Sequence, residues 1–176
     1  MKRGVAAGAL VVGALVLVGA CGGDDDSGAP ATDLGDRDTG DEEATTADEI
    51  VAAYEASWKD FIRAGDPPQP DATFLADHNT GEALTAARNL LQGYVAEGVV
   101  MRGTYEFDAE VVESADAEAT VHDCGLNQLQ AVLAATGEVV DQSDDVRDGL
   151  IASLVVEGGE WKVTSLENSE EVCADA

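Results

Sequence analysis

Gly98-Val99-Val100-Met101-Arg102-Gly103-Thr104-Tyr105-Glu106-Phe107-Asp108-Ala109-Glu110-Val111 is the stretch on which the fold turns. Before it, apolar residues recur at spacings of three and four. From Thr104 onward Tyr105, Phe107, Ala109 and Val111 alternate with Thr104, Glu106, Asp108 and Glu110. A spacing of three to four places apolar groups along one helix face, and strict alternation gives a strand with one wet face. Gly98 therefore divides a helical half from a β half.

Upstream, Thr46 and Glu49 have the spacing of a capping box. The helix predicted to follow carries Ile50, Val51, Tyr54, Trp58, Phe61 and Ile62 as one stripe and stops at Gly65. Three prolines (Pro67, Pro68, Pro70) make 66–71 a connection. A short helical segment over 72–77 and a longer helix over 81–97 come next, the latter with Leu84, Ala87, Leu91, Tyr94 and Val95 on one face. Downstream, a turn at Ala115 and Asp116 leads into a second strand over 117–124. Further strands are predicted over 130–135 and 150–156, with a polar loop over 141–148 between them. Gly158 and Gly159 turn the chain into a last strand over 161–166. Helices first and then four to five antiparallel strands is an α+β order, with N-terminal helices packed on one face of the sheet.

Three N-terminal helices, an abrupt glycine turn into a long strand at Glu97 to Gly103, and a closing hairpin with Gly159, Glu160, Trp161, Lys162 and Val163 resemble the nuclear transport factor 2-like superfamily. The resemblance covers 47–173 and extends to small secreted bacterial lipoproteins carrying this domain. It implies a curved antiparallel sheet closed over the helices into a cystatin-like cone. Many members insert strands before the third helix, whereas 66–80 has no strand pattern here. Tyr54, Trp58, Phe61, Tyr94, Tyr105, His122 and Trp161 are the candidate lining of such a cone.

The N-terminus carries a different signal. Lys2 and Arg3 precede an apolar run from Val5 to Val18, and then Gly19, Ala20 and Cys21. A basic start, a short apolar stretch and small residues at a cleavage point describe a secretory signal over 1–20. The run falls short of the roughly 20 residues that span a bilayer; an uncleaved membrane helix is the alternative reading. Val18, Gly19, Ala20 and Cys21 resemble the lipobox of bacterial lipoproteins, which implies a diacylglycerated Cys21, cleavage before it, and attachment to the cell membrane on the extracytoplasmic face. Two or three acyl chains would suffice for stable anchoring, where one would not.

Residues 22–46 hold nine acids, one base and, apart from Leu34, no large apolar side chain. With so little to bury, 21–46 is expected to be a disordered acidic tether. Asp36, Asp38 and Asp41 do not form a calcium loop, because Gly40 falls where the EF-hand pattern places a ligand. The acidity does not stop at the tether: 47–176 holds 27 acids against six bases. Binding to nucleic acid or to anionic headgroups needs a Lys/Arg surface, so both are excluded. A basic or envelope protein partner suits the charge, and a second copy of the chain docked through the sheet face is another candidate partner.

Cys124 and Cys173 remain once Cys21 is assigned to lipid. Outside the membrane such a pair is expected to form a disulfide, with a metal pair or a catalytic thiol as alternatives. His78 and His122 are the only histidines, with no clustering that suggests a metal site. His78 is expected to be solvated and His122 half-exposed on its strand. Enzymes of the superfamily place an acid or base inside the cone, but the strand carboxylates Glu106, Asp108 and Glu110 all take the wet parity, and no Asp or Glu is expected at a position that alternation turns inward. Phosphate-loop, serine-elbow and zinc-helix motifs are absent from the sequence. The expectation is a non-enzymatic, cofactor-free binding or accessory domain at the cell envelope. The alternative is a carrier of a small apolar ligand, or a cone-site isomerase or cyclase, and a cone filled by Trp58, Phe61 and Trp161 would speak against it.

Overall fold

The computed structural model describes residues 39–142 and 147–174. The signal segment, Cys21 and most of the expected tether lie outside the described residues. Three helices, α1 (Thr39–Arg63), α2 (Leu75–His78) and α3 (Gly81–Glu97), precede eight strands. The strands are β1 (Val99–Arg102), β2 (Tyr105–Glu106), β3 (Ala109–Ser114), β4 (Glu118–Asn127), β5 (Gln130–Leu133), β6 (Val139–Gln142), β7 (Arg147–Glu157) and β8 (Glu160–Asn168). The α+β order read from the sequence is the order found.

The first helix is longer than expected. It begins at Thr39, so Thr46 lies inside it and the Thr46/Glu49 pair does not mark its start. An acid-rich composition, which suggested a tether up to residue 46, is compatible with a first helical turn, where the macrodipole favours negative charge. The third helix has the predicted bounds. Gly98 ends it, its amide reaching back to the carbonyls of Tyr94 and Val95.

The stretch after Gly98 keeps its predicted parity but not its continuity. Tyr105 is buried, Phe107, Ala109 and Val111 are half-buried, and the residues between them are exposed. The one long strand is broken at Gly103 and divided between two sheets. β1 belongs to a three-stranded sheet of order β1-β5-β6, while β2 and β3 both pair antiparallel with β4 in a five-stranded sheet of order β2-β4-β7-β8. Gly103 has φ 111°, and a Cβ there would run into the carbonyl oxygen of Gln128. Only glycine takes this conformation readily and allows so close an approach, so the sheet switch is built into that position. The expected polar loop over 141–148 is a second correction, because β6 occupies its start and β7 its end. β6 carries Val139 and Val140, both half exposed, and so lacks the apolar alternation that marks a half-buried strand.

α1 lies across the inner face of the five-stranded sheet. Ile50 and Tyr54 pack there with Ala83 of α3, Ala119 and Val121 of β4, Ala152 and Leu154 of β7, and Val163 of β8. A smaller cluster of Ala64, Leu75 and Leu91 joins the three helices, with Phe61, Phe74, Leu84 and Tyr94 against it. The edge of β8 is covered by the α2–α3 junction: Asn79 bridges Val163, the Thr80 amide donates to the Val163 carbonyl at 2.9 Å, and Lys162 Nζ donates to the Ala76 carbonyl at 3.0 Å. These contacts interrupt the free edge of β8 at Val163.

Cys124 and Cys173 form a disulfide with a Cα separation of 5.2 Å. It fastens the C-terminal tail beside β7, where the Ser169 amide donates to the Gly149 carbonyl at 2.8 Å. The bridge joins residues 49 apart in sequence, and closing a loop of that length removes about 4 kcal/mol of entropy from the unfolded chain. Replacing both cysteines by serine is expected to lower unfolding stability in urea by about that amount and to open the tail to protease after residue 168; equal stability of the two proteins would contradict this role.

Candidate functional site

Asp123 corrects the expectation that no Asp or Glu is turned inward. It shares parity with Ala119 and Val121 on β4 and is fully buried. Its Oδ2 accepts the Tyr54 hydroxyl at 2.8 Å and its Oδ1 accepts the Asp108 amide at 2.8 Å. A buried carboxylate is tolerated only with such partners. The signal is present in the order Ala119, Val121, Asp123, whose parity is opposite to that of His122 and Cys124.

Around Asp123 the aromatic residues form a closed stack. Trp58 lies on Tyr105 with ring centroids 4.8 Å apart and planes 10° from parallel, and meets Phe61 edge-on at 6.0 Å. Phe107 touches Tyr105 at 5.0 Å and Tyr54 at 6.1 Å. Tyr105 is able to lie flat here because residue 125 is glycine; a Cβ there would strike its ring. Burial, then the negative charge of Asp123, push the hydroxyls of Tyr54 and Tyr105 well above the usual tyrosine range. Burial followed by Asp141 and Glu97 raises Tyr94 as well. The Tyr105 hydroxyl and Trp58 Nε1 are buried without a hydrogen-bond partner.

The candidate cone lining thus divides. Tyr54 and Tyr105 belong to the core, since their hydroxyls turn toward Asp123 and away from open space. Trp161 packs half-buried against the main core cluster. His122 shares parity with Thr120, opposite to Val121 and Asp123, and pairs across the ladder with Glu110 and Ile151; strand alternation removes it from the helix side. Trp58, Phe61 and Tyr94 do line open space. One pocket of about 250 Å³ lies between α1 and α3, bounded by Ser57, Trp58, Phe61, Asn79, Leu90 and Leu166 among others. A second of about 280 Å³ lies on the far side of the same Trp58, Phe61 and Leu90, reaching Tyr94, Met101 and Asp141. The aromatic pair therefore fills the middle of the concavity and leaves space at both ends.

His78 was expected to be solvated, but its Nδ1 lies 2.8 Å from Asp60 Oδ2 and links the α2–α3 junction to α1. Next to it, Ser57 Oγ donates to Asn79 Oδ1 at 2.8 Å, both residues being buried. Among the described residues, no group of three or more His, Cys, Asp or Glu is arranged to hold a metal ion, and no helix is long and apolar enough to cross a membrane.

The tyrosines give a sign to alkaline stability. In the unfolded chain they lose their protons near pH 10, while the folded protein keeps both, so stability is full below that pH and falls above it by about 1.4 kcal/mol per pH unit from each. Tyr105→Phe is expected to take about 1.4 kcal/mol per pH unit off this slope between pH 10 and 11.5, measured by denaturant unfolding, while Tyr54 and the Asp108 amide still pair Asp123. Tyr54→Phe should instead cost about 1.5–3 kcal/mol at pH 7 by leaving Asp123 Oδ2 unpaired. An unchanged alkaline slope in Tyr105→Phe would contradict the assignment.

No protein-family model matches the chain, and no curated protein sequence matches it. Among solved structures it is similar to the crystal structure of the intermembrane space region of the chloroplast protein ARC6. That likeness covers 71% of this chain and 95% of the other, with a TM-score of 0.53 and 20% identity. At this identity the two share a fold.

Proposed function

We propose that this chain is a lipid-anchored binding or accessory domain on the extracytoplasmic face of a bacterial cell membrane, with a nuclear transport factor 2-like fold and no catalytic role. The observation that carries the reading is the state of Asp123. A cone-site acid or base must meet its substrate, and Asp123, the one fully buried carboxylate among the described residues, is committed to Tyr54 and to the Asp108 amide beneath the Trp58–Tyr105 stack. The α1–α3 pocket lies elsewhere, against mostly apolar side chains, which is the chemistry of binding.

The compartment rests on independent features. Val18 to Cys21 has the lipobox order, and the Cys124–Cys173 bridge suits an oxidising environment. Helices first, then antiparallel strands closed by the β7–β8 hairpin, is the element order of the proposed superfamily. With 27 acids against six bases in 47–176, the domain favours a basic protein partner and is repelled by anionic headgroups, so the acidic segment after Cys21 holds it off the membrane.

Cells fed an alkyne-bearing palmitate are expected to label the wild-type protein, and Cys21→Ala is expected to lose the label and leave the membrane fraction. Retention of the label in that variant would refute the anchor. Crosslinking on intact membranes should recover a basic envelope protein with the wild type; recovery of the monomer by itself would count against the accessory role.

A further inference from the structure

α1 and α3 cover one face of the five-stranded sheet, the one carrying Val121, Ala152, Leu154 and Val163. The opposite face carries Thr120 and His122 of β4 and Ile151, Ser153 and Val155 of β7. All five are half-buried, as sheet residues are with no layer above them. The disulfide-bound tail reaches this face at Gly149, where Val172 lies close.

Two β-bulges decide which charges stand there. β3 has one extra residue, Val112, between the pairs Val111–Val121 and Glu113–Thr120, and β8 has one, Thr164, between Val163–Leu154 and Ser165–Ser153. Directly paired residues share a face. Glu113, opposite Thr120, therefore points outward although it has the parity of inward Val111. Glu167, opposite Ile151, points outward although it has the parity of inward Val163. A bulge re-aims the side chains that follow it, and here each bulge turns a carboxylate to the uncovered side, beside Glu110 and Glu118. These four acids are exposed and have no ion pair among the described residues. The bases of outward parity on β7 and β8 are already engaged: Arg147 by Asp108 Oδ2 at 3.2 Å and the Cys124 carbonyl at 2.8 Å, Lys162 by the Ala76 carbonyl.

Between Glu113 and Glu118 the face is hollow. A space of about 360 Å³ is bounded there by Thr120, Ser153, Val155 and Thr164. Thr164 gives its hydroxyl proton to the Ser153 carbonyl at 3.1 Å, so its oxygen can only accept from an occupant. Two carboxylates, an acceptor oxygen and an apolar valine suit a planar cation on a methylene stem, which is arginine rather than lysine.

We propose that this face docks a basic segment of a protein partner, with an arginine of that partner seated in the hollow. The guanidinium lies between Glu113 and Glu118, its stem rests on Val155, and further basic residues meet Glu110 and Glu167, about 14 Å apart across three strand spacings. A second copy docked by the same face would set these acids against one another, and the acidic segment after Cys21 is repelled in the same way. This rests on the reading of the domain as an accessory module with a basic partner, and names the surface and the residue chemistry of that contact.

Photolabelling of the full chain in its own membranes tests this with three tripeptide probes, acetyl-X-photoleucine-X-amide, in which X is arginine, lysine or citrulline; citrulline has the shape of arginine without its charge. Adducts are mapped by mass spectrometry and competed with excess acetyl-Arg-Leu-Arg-amide. Expected are competable adducts of the arginine probe within 110–120 and 151–167, about tenfold above those of the citrulline probe, the combined effect of two exposed ion pairs. The lysine probe should fall between, and the difference should fade at high salt. Glu113→Gln with Glu118→Gln, both on the surface, should bring the arginine probe down to the citrulline level, whereas Glu97→Gln with Glu138→Gln should leave it unchanged. Equal labelling by arginine and citrulline, adducts concentrated on other acidic segments, or undiminished labelling of the Glu113/Glu118 variant would each overturn the proposal. A photoreactive residue at Ser165, activated on intact membranes, is expected to capture a basic protein from the wild type and to lose it in the Glu113/Glu118 variant; capture of a second copy instead would overturn the choice of occupant. The two readings separate: a basic partner still captured at full yield by the variant refutes this face and leaves the accessory role standing, and arginine labelling of the face with no captured partner does the reverse.

Discussion

A carboxylate buried at the centre of a sheet must be hydrogen-bonded or it destabilises the fold by several kcal/mol, and Asp123 meets that requirement from two directions. Tyr54 reaches it from α1, and the Asp108 amide reaches it from the segment between β2 and β3. These two bonds set where the long helix lies along β4 and how the strand after Gly103 enters the five-stranded sheet. Once Tyr54 is placed, Trp58 falls one turn further along α1, over Tyr105 and above Gly125. The aromatic stack is thus a consequence of the polar anchor beneath it.

The same arrangement decides what the concave side offers. Trp58 and Phe61 occupy its middle, which closes Asp123 off and divides the remaining space into two pockets. Chemistry at the carboxylate and access from solvent are then mutually exclusive, whereas apolar binding at the flanks is not. The α2–α3 junction links the helices to the sheet. Thr80 and Asn79 meet the β8 edge at Val163, and the Asn79 side chain reaches Ser57 beside the α1–α3 pocket. Lys162, His78 and Asp60 tie this junction to the sheet and to α1, so this border of the pocket is held on three sides.

On the opposite face, the disulfide keeps the tail beside β7, and the His122 side of β4 stays separate from the α1–α3 pocket. A domain with 27 acids and six bases carries strong self-repulsion, and a covalent link that acts mainly on the unfolded chain offsets part of that cost.

Local patterning in the sequence was enough for the α+β order, the bounds of α3, the face assignment of Tyr105, Phe107, Ala109 and Val111, and the pairing of Cys124 with Cys173, because helix stripes, strand alternation and cysteine parity are local or countable properties. The charge balance is likewise read directly from composition. The division into two sheets was decided by tertiary structure, since the reason for the break at Gly103 is the Gln128 carbonyl, 25 residues away in the chain. The same holds for β6, whose exposed valines pair with β5 without forming a buried face. It holds most of all for the site: the alternation that turns Asp123 inward is local, but whether an inward carboxylate is a reactive group or a structural one depends on what stands over it. Tyr54 and Trp58 come from α1, more than sixty residues away, and only the packing of that helix on the sheet brings them there.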